Sequence, residues 1–275
     1  MSEKAGKGSF KFAWVLDDTD EERERGVTID VAQAYFETDT RGVTILDAPG
    51  HRDFLPNAIM GVAEADAAVL VVDATKGEFE TGFGRGGQTR EHAIVARSLG
   101  IQHMIVAVNK MDACGWDEAR FNEVRDALAR FLQTLGFKPD NVQFVPTSGF
   151  HGHNVTCPAP PDCGSAWYTG PSLVQSIDLL PVRQPRIDVP LRMSVSNVFK
   201  TQMGVGVSVC GRVVQGSVQV GEPIVAVPGR AVGMVKAVAV GNAARGWAVD
   251  GDSAVLSVTG MERNEVFVGS IVCGE

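Results

Sequence analysis

The hydrophobic pattern changes its period near residue 185, and this change constrains the fold more than any other feature of the chain. Before it, short apolar runs alternate with segments of helical period. Gly42–Ala48 (GVTILDA) is an apolar run ending at a Pro-Gly turn. Ala67–Val72, Met104–Val108 and Val142–Val145 read as buried strands. Asn57–Ala63, Gln88–Leu99 and Trp116–Leu135 read as helices. The last carries Phe121, Val124, Leu128, Phe131, Leu132 and Leu135 at helical spacing. This alternation predicts an α/β fold, a parallel sheet with helices on both faces. Residues 151–171, rich in Pro, Gly and Cys, predict an irregular loop, and Ser172–Leu180 one further short helix. Val182–Pro190, with Pro185 and Pro190, reads as a linker. From Leu191 onward, Val-rich runs divided by Gly show no helical period and predict an all-β barrel or sandwich. The expected domains are 1–185 and 186–275.

Charge divides in the same place. Residues 186–275 hold 8 basic and 7 acidic side chains, leaving 17 and 26 in residues 1–185. The total of −8 gives no global basic footprint, so direct DNA binding is not expected. Five cysteines without framework spacing suit a reduced chain better than a disulfide scaffold. The sequence MSEKAGKGSF has no apolar signal region. The longest apolar runs are far shorter than the roughly 20 residues a membrane helix needs. The expectation is a soluble, cytoplasmic protein with no membrane partner.

Three motifs follow the predicted strands. Asp47-Ala48-Pro49-Gly50 ends the first; an Asp and a Gly there suit Mg²⁺ support and an amide contact to a phosphate. By itself D-x-x-G arises by chance about once in a chain this long. Asn109-Lys110-Met111-Asp112 follows the strand at Met104–Val108 and is much rarer. Its Asp carboxylate can accept two hydrogen bonds from guanine, its Asn amide can meet the other edge, and the Lys stem can lie on the ring. Thr147-Ser148-Gly149 follows the next strand and brings backbone amides toward guanine O6. All three stand at carboxyl ends of strands, where ligands bind in open parallel sheets.

These residues resemble the third, fourth and fifth guanine-nucleotide motifs of translational GTPases. Arg23-Glu24-Arg25-Gly26-Val27-Thr28 resembles switch I of the elongation factor 1-alpha branch, and Asp47–His51 its switch II. Gly77–His92 (GEFETGFGRGGQTREH) and Phe267–Cys273 (FVGSIVC) look closer to the Hbs-type ribosome-rescue GTPases that partner Pelota. Release-factor GTPases, the next relatives, typically carry Lys at the position of Val27. The resemblance implies a P-loop-type G domain followed by a β-barrel, with GTP/GDP and Mg²⁺ as ligands. It implies that Thr28 binds Mg²⁺, that Asp47 supports the ion through water and that Gly50 donates to the γ-phosphate. His51 would orient the attacking water. Asn109, Lys110 and Asp112 would read guanine, with Thr147, Ser148 and Gly149 completing that pocket and Ala48 and Pro49 among the GTP-binding residues. The ribosome and a Pelota-like factor are the implied partners. The alternatives are an aminoacyl-tRNA carrier, a release-factor GTPase, or a non-catalytic interaction module.

The sequence departs from the family at one place. No G-x-x-x-x-G-K-[ST] occurs, and Gly6-Lys7-Gly8-Ser9 is not a substitute, with no strand before it and no Ser or Thr directly after the Lys. In the family, the stretch resembling Ala5–Leu16 follows the phosphate loop. The expectation is therefore an N-terminally truncated chain with an incomplete sheet, weakly active or inactive alone, and lacking the third domain. A missing central strand would leave neighbours about 10 Å apart, twice the strand spacing. Gly82-x-Gly84-x-x-Gly87 lies too far past its strand for a dinucleotide fingerprint, and Gly86-Gly87-Gln88 reads as a loop leading into a helix. His151, His153, Cys157 and Cys163 are chemically suited to Zn²⁺ but lack a usual ligand spacing. Basic residues of the barrel (Arg192, Lys200, Arg212, Arg230, Lys236) form at most a weak RNA-contacting set.

Overall fold

The computed structural model describes residues 28–181, 184–200, 206–241 and 243–274. The chain divides into two compact units, Met1–Pro181 and Val182–Glu275. In the first, the order is β1 (Ala32–Glu37), β2 (Gly42–Asp47), α1 (Leu55–Glu64), β3 (Ala68–Asp73), α2 (Glu78–Phe83) and α3 (Gln88–Ser98). Then follow β4 (Met104–Asn109), α4 (Glu118–Thr134), β5 (Val142–Pro146) and α5 (Leu173–Asp178).

Strands β3, β4 and β5 form a parallel sheet in that order. Asp73 pairs with Asn109, and Val108 with Pro146, so the carboxyl ends lie level. Met104, Val106 and Val108 join one apolar core, while Ile105 and Ala107 are buried on the opposite pleat. Helix α4 supplies one face of that core. Asp117 caps it by accepting from the Ala119 amide at 3.0 Å, and Phe121, Val124, Leu128 and Leu132 make one buried stripe. Leu128 is fully buried, so cutting it to Ala would cost about 2–5 kcal/mol.

Strand β2 does not join this sheet. It pairs antiparallel with β1 in a separate hairpin, with Ala32 opposite Asp47. Gly42–Asp47, expected in the parallel sheet, pairs with the preceding segment across a four-residue turn, and among the described residues no strand joins it to β3. Side chains hold the hairpin at both ends. At the tip, Thr38 and Thr40 hydroxyls each donate to Asp178 Oδ1 at 2.6 Å, and Arg41 Nη1 donates to the Leu180 carbonyl at 3.0 Å. At the base, Asn57 Nδ2 donates to the Ile29 carbonyl at 2.8 Å and to Asp30 Oδ1 at 2.9 Å. Gly61 lets α1 approach this base: a Cβ there would lie 3.1 Å from both Val31 methyls. Among the described residues, the outer edge of β3 has no strand partner, and its Val69 and Val71 are 42% and 59% exposed.

The second unit holds β6 (Arg192–Lys200), β7 (Val207–Gln215), β8 (Ser217–Gln219), β9 (Pro223–Val227) and β10 (Ala231–Val240). The remaining strands are β11 (Ala243–Ala244), β12 (Trp247–Val249), β13 (Ser253–Thr259) and β14 (Ile271–Gly274). Six of them run β10-β13-β7-β6-β14-β9, and β9 pairs back to β10, closing an antiparallel barrel. Closure removes the edges an open sheet would expose. Met193, Val209, Val213, Ile224, Leu256 and Val272 fill the interior. Gly211 permits the closest strand approach: a Cβ there would overlap the Ser194 carbonyl, beside the irregularity between Val195 and Asn197.

Candidate functional site

The carboxyl ends of β3, β4 and β5 bring Asp73, Asn109, Lys110, Asp112, Thr147, Ser148 and Gly149 into one hydrogen-bonded neighbourhood. Asn109 ends β4. Its side-chain Oδ1 accepts from the Gly149 amide at 2.8 Å, which fixes the amide plane and leaves Nδ2 as the donating end. The Thr147 amide donates to the Val108 carbonyl at 2.8 Å, and Met111 donates to the Thr147 carbonyl at 3.1 Å. Thr147 and Ser148 are almost wholly buried, and the fully buried Met111 anchors the single 3-10 turn that carries Asp112. Lys110 takes a left-handed backbone (φ 61°), which turns the chain sharply between Asn109 and Asp112.

Lys110 Nζ lies 2.6 Å from Asp73 Oδ2. Asp73 also accepts from the Thr75 amide at 2.8 Å and the Thr75 hydroxyl at 2.6 Å. Burial pushes the Asp73 carboxyl up, but hydrogen bonds from Lys110 and Thr75 outweigh it and hold the group below its ordinary value. The turn after Asp73 is fixed by buried Arg120, whose Nε donates to the Ala74 carbonyl at 2.7 Å and whose remaining nitrogens meet Glu80 at 2.9 Å and Glu123 at 2.7 Å. On the other side of Asp112, His151 Nε2 stands 3.8 Å from its carboxylate and stacks on His153 at 5.4 Å.

The second group of expected residues lies on the loop after β2. Asp47 ends that strand, Pro49 is buried and Gly50 is exposed, with open space where a Cβ would be. His51 is 42% exposed; its Nδ1 accepts from the Asp53 amide at 3.3 Å, and its carbonyl accepts from Phe54 at 3.0 Å. Thr28 precedes β1 by four residues, and Asp47 faces Ala32, so hydroxyl and carboxylate belong to the same end of the hairpin. Both are hard oxygen donors of the kind Mg²⁺ accepts beside substrate phosphates. The rest of the switch I expectation, Arg23, Glu24, Arg25, Gly26 and Val27, lies outside the described residues, as does Gly6–Ser9. Among the described residues no three His, Cys, Asp or Glu side chains converge as a metal set, which leaves the His151, His153, Cys157, Cys163 alternative without support.

Sequence reasoning gave Asp73 no role, although it ends a strand level with Asn109, and this position is the signal that could have found it. It also missed His92, whose Nε2 lies 3.0 Å from the Gly50 carbonyl. A partner 42 residues away in sequence leaves no local pattern.

A parallel α/β sheet with N-K-x-D and T-S-G at its carboxyl end, in a chain that goes on to a closed six-stranded barrel, has the architecture of a translation-factor G domain with its second domain. Residues 1–202 match the family described as the elongation factor Tu GTP binding domain, and the chain belongs to that family of translational GTPases. It is 45% identical over 271 residues to Protein HBS1 of Drosophila melanogaster, covering 98% of this chain and 40% of that protein. It is 44% identical over 272 residues to elongation factor 1-alpha of Desulfurococcus mucosus, covering 98% of this chain and 61% of that protein. The chain thus spans roughly two to three fifths of these curated relatives. A crystal structure of the bacterial selenocysteine-specific elongation factor EF-Sec is similar with a TM-score of 0.74 and 26% identity, covering 94% of this chain and 40% of that one. The GTPase-like domain of S. cerevisiae Ski7, bound to GDP and inorganic phosphate, shares the fold at TM-score 0.75 and 20% identity, covering 95% of this chain and 64% of that one. No helix among the described residues is long and apolar enough to cross a membrane.

Proposed function

We propose that this chain carries the guanine-binding half of a GTP-hydrolysing translation factor that acts on the ribosome in the cytoplasm, in the rescue branch with a Pelota-like partner. The observation that supports it most is the convergence of Asn109, Lys110, Asp112 and Thr147–Gly149, with Asn109 Oδ1 already held by the Gly149 amide. In this reading Asp112 accepts from guanine N1 and N2, the Asn109 Nδ2 meets the other edge, and the Lys110 stem covers the ring while Asp73 holds its ammonium. The Ser148 backbone approaches guanine O6. The Gly50 amide donates to the γ-phosphate, and His51 orients the attacking water. Thr28 and Asp47 would hold Mg²⁺, which neutralises phosphate charge when bound. GTP orders the Thr28 and His51 segments, and hydrolysis releases them.

The rescue branch is favoured by the resemblance of Gly77–His92 and Phe267–Cys273, and by Val27. The test is GTP hydrolysis by the chain with ribosomes, comparing a Pelota-type factor, a release factor and aminoacyl-tRNA as co-factors. Acceleration that requires the Pelota-type factor is the expected result. Acceleration by aminoacyl-tRNA alone would move the chain to the carrier reading. Binding of the Pelota-type factor with no hydrolysis would select an interaction module without turnover.

A further inference from the structure

The loop Asp47–His51 turns at Gly50, an exposed glycine with open space around it. Gly50 supplies the amide on one side, His51 the imidazole on the other, and between them stands the rotation about Gly50 itself. Glycine is the residue least able to fix that rotation, and nothing crowds Gly50 from outside. The 3-10 turn Arg52–Phe54 holds His51 only from its far side, through the Phe54 and Asp53 amides.

His92 supplies the missing restraint. Its Nε2 lies 3.0 Å from the Gly50 carbonyl oxygen. A carbonyl can only accept, so Nε2 carries the proton, and the bond fixes the Gly50–His51 peptide plane. The helix that bears His92 is itself secured. Ala93 and Ala96 of α3 are buried in the core. In its first turn, the Arg90 guanidinium lies over the Phe83 ring at 4.5 Å and the Phe131 ring at 4.7 Å, and Arg90 Nε donates to the Phe83 carbonyl at 2.7 Å.

We infer that His92 is a positioning residue for the phosphate-side loop. It sets the angle between the Gly50 amide and the His51 imidazole, and so favours a nucleotide with a γ-phosphate over one without. This rests on the guanine-nucleotide reading above, because only a γ-phosphate would face both groups.

The test uses the full chain with His92→Ala and His92→Gln, since a Gln amide can restore a donor. Without nucleotide, NMR should show an Nε2-bound proton on His92. The Gly50 carbonyl ¹³C resonance should move upfield in His92→Ala and return toward its original position in His92→Gln, with barrel resonances unchanged. With nucleotide, the GTP-to-GDP affinity ratio should fall about fivefold in His92→Ala, the size of one ordinary hydrogen bond, at constant GDP affinity. A Gly50 resonance that ignores both substitutions would overturn the contact. Equal losses for GDP and GTP would overturn the positioning role and leave a structural one. No guanine nucleotide binding by the unsubstituted chain would sink the nucleotide reading and the selectivity with it, while the Gly50 resonance would still decide the contact separately.

Discussion

The base-side cluster and the Asp47–His51 loop both sit at carboxyl ends of strands, yet they are built in different ways. Around Asn109, the sheet itself does the positioning: Thr147 and Ser148 are buried, their neighbours are tied by backbone hydrogen bonds, and Asn109 is locked by a backbone amide. The Asp47 loop leaves a two-stranded hairpin outside the parallel sheet. Its place depends on single side chains: Asn57 at the base, Asp178 at the tip and His92 at Gly50. On the proposed reading, base recognition would rest on the core, and phosphate sensing on contacts that can be made or broken. A switch needs that division, because the sensing element must move while the reading element stays fixed.

The largest effect expected from breaking this comparison is at Asp112. On the proposed reading, replacing it with Ala would remove two charge-assisted hydrogen bonds to guanine, so GDP affinity should drop about 100-fold or more while circular dichroism stays unchanged. Unaltered affinity would remove the base-side assignment. Asn109→Ala frees the Gly149 amide and one base contact. About a tenfold weakening is expected by calorimetry, with GDP and GTP affected alike.

Asn57→Ala sharpens the contrast from the other side. It should speed hydrogen exchange around Ile29 and Asp30 and cost about 1 kcal/mol locally, yet leave GDP affinity and barrel stability intact. A matching loss of GDP affinity would show that the two halves are not independent.

Acid should give the smallest effect. The Asp73 carboxyl is held below its ordinary 3.8. A depressed folded value means that its stabilising contribution is complete above the unfolded value and is lost only as pH falls through the folded one. The Asp73 carboxyl ¹³C signal should therefore titrate below pH 3.8, and Asp73→Asn should abolish that step. Because Lys110 is 59% exposed, the same change should alter GDP affinity at neutral pH by no more than about threefold.

Much of this division could be read from residues. Strands β3, β4 and β5 are continuous apolar runs, and the motifs after β4 and β5 are local, so both were visible in the sequence. Helix α4 was visible because its buried positions keep a strict helical spacing and Asp117 marks its start. Strand β1 was missed, since AQAYFE has little apolar contrast and gains its pairing only from β2. Helix α2 was hidden by its shortness and by Gly82 within it. Strand β6 carries a register irregularity that its sequence does not show: Met193 and Val195 keep the alternation, then the shift before Asn197 moves the next buried position to Val198. Among site residues, those legible in advance act through their own motif. Asp73 and His92 act by holding another residue, and such roles exist only once the chain is folded.

The central claim is that the carboxyl end of the parallel sheet reads guanine. The most direct test is a titration of the purified chain with fluorescent GDP and with fluorescent ADP under identical conditions. Saturable binding of GDP with at least about tenfold preference over ADP, abolished by Asp112→Ala, is the predicted result. Equal affinity for the two nucleotides, or no saturation by a demonstrably folded chain, would contradict it.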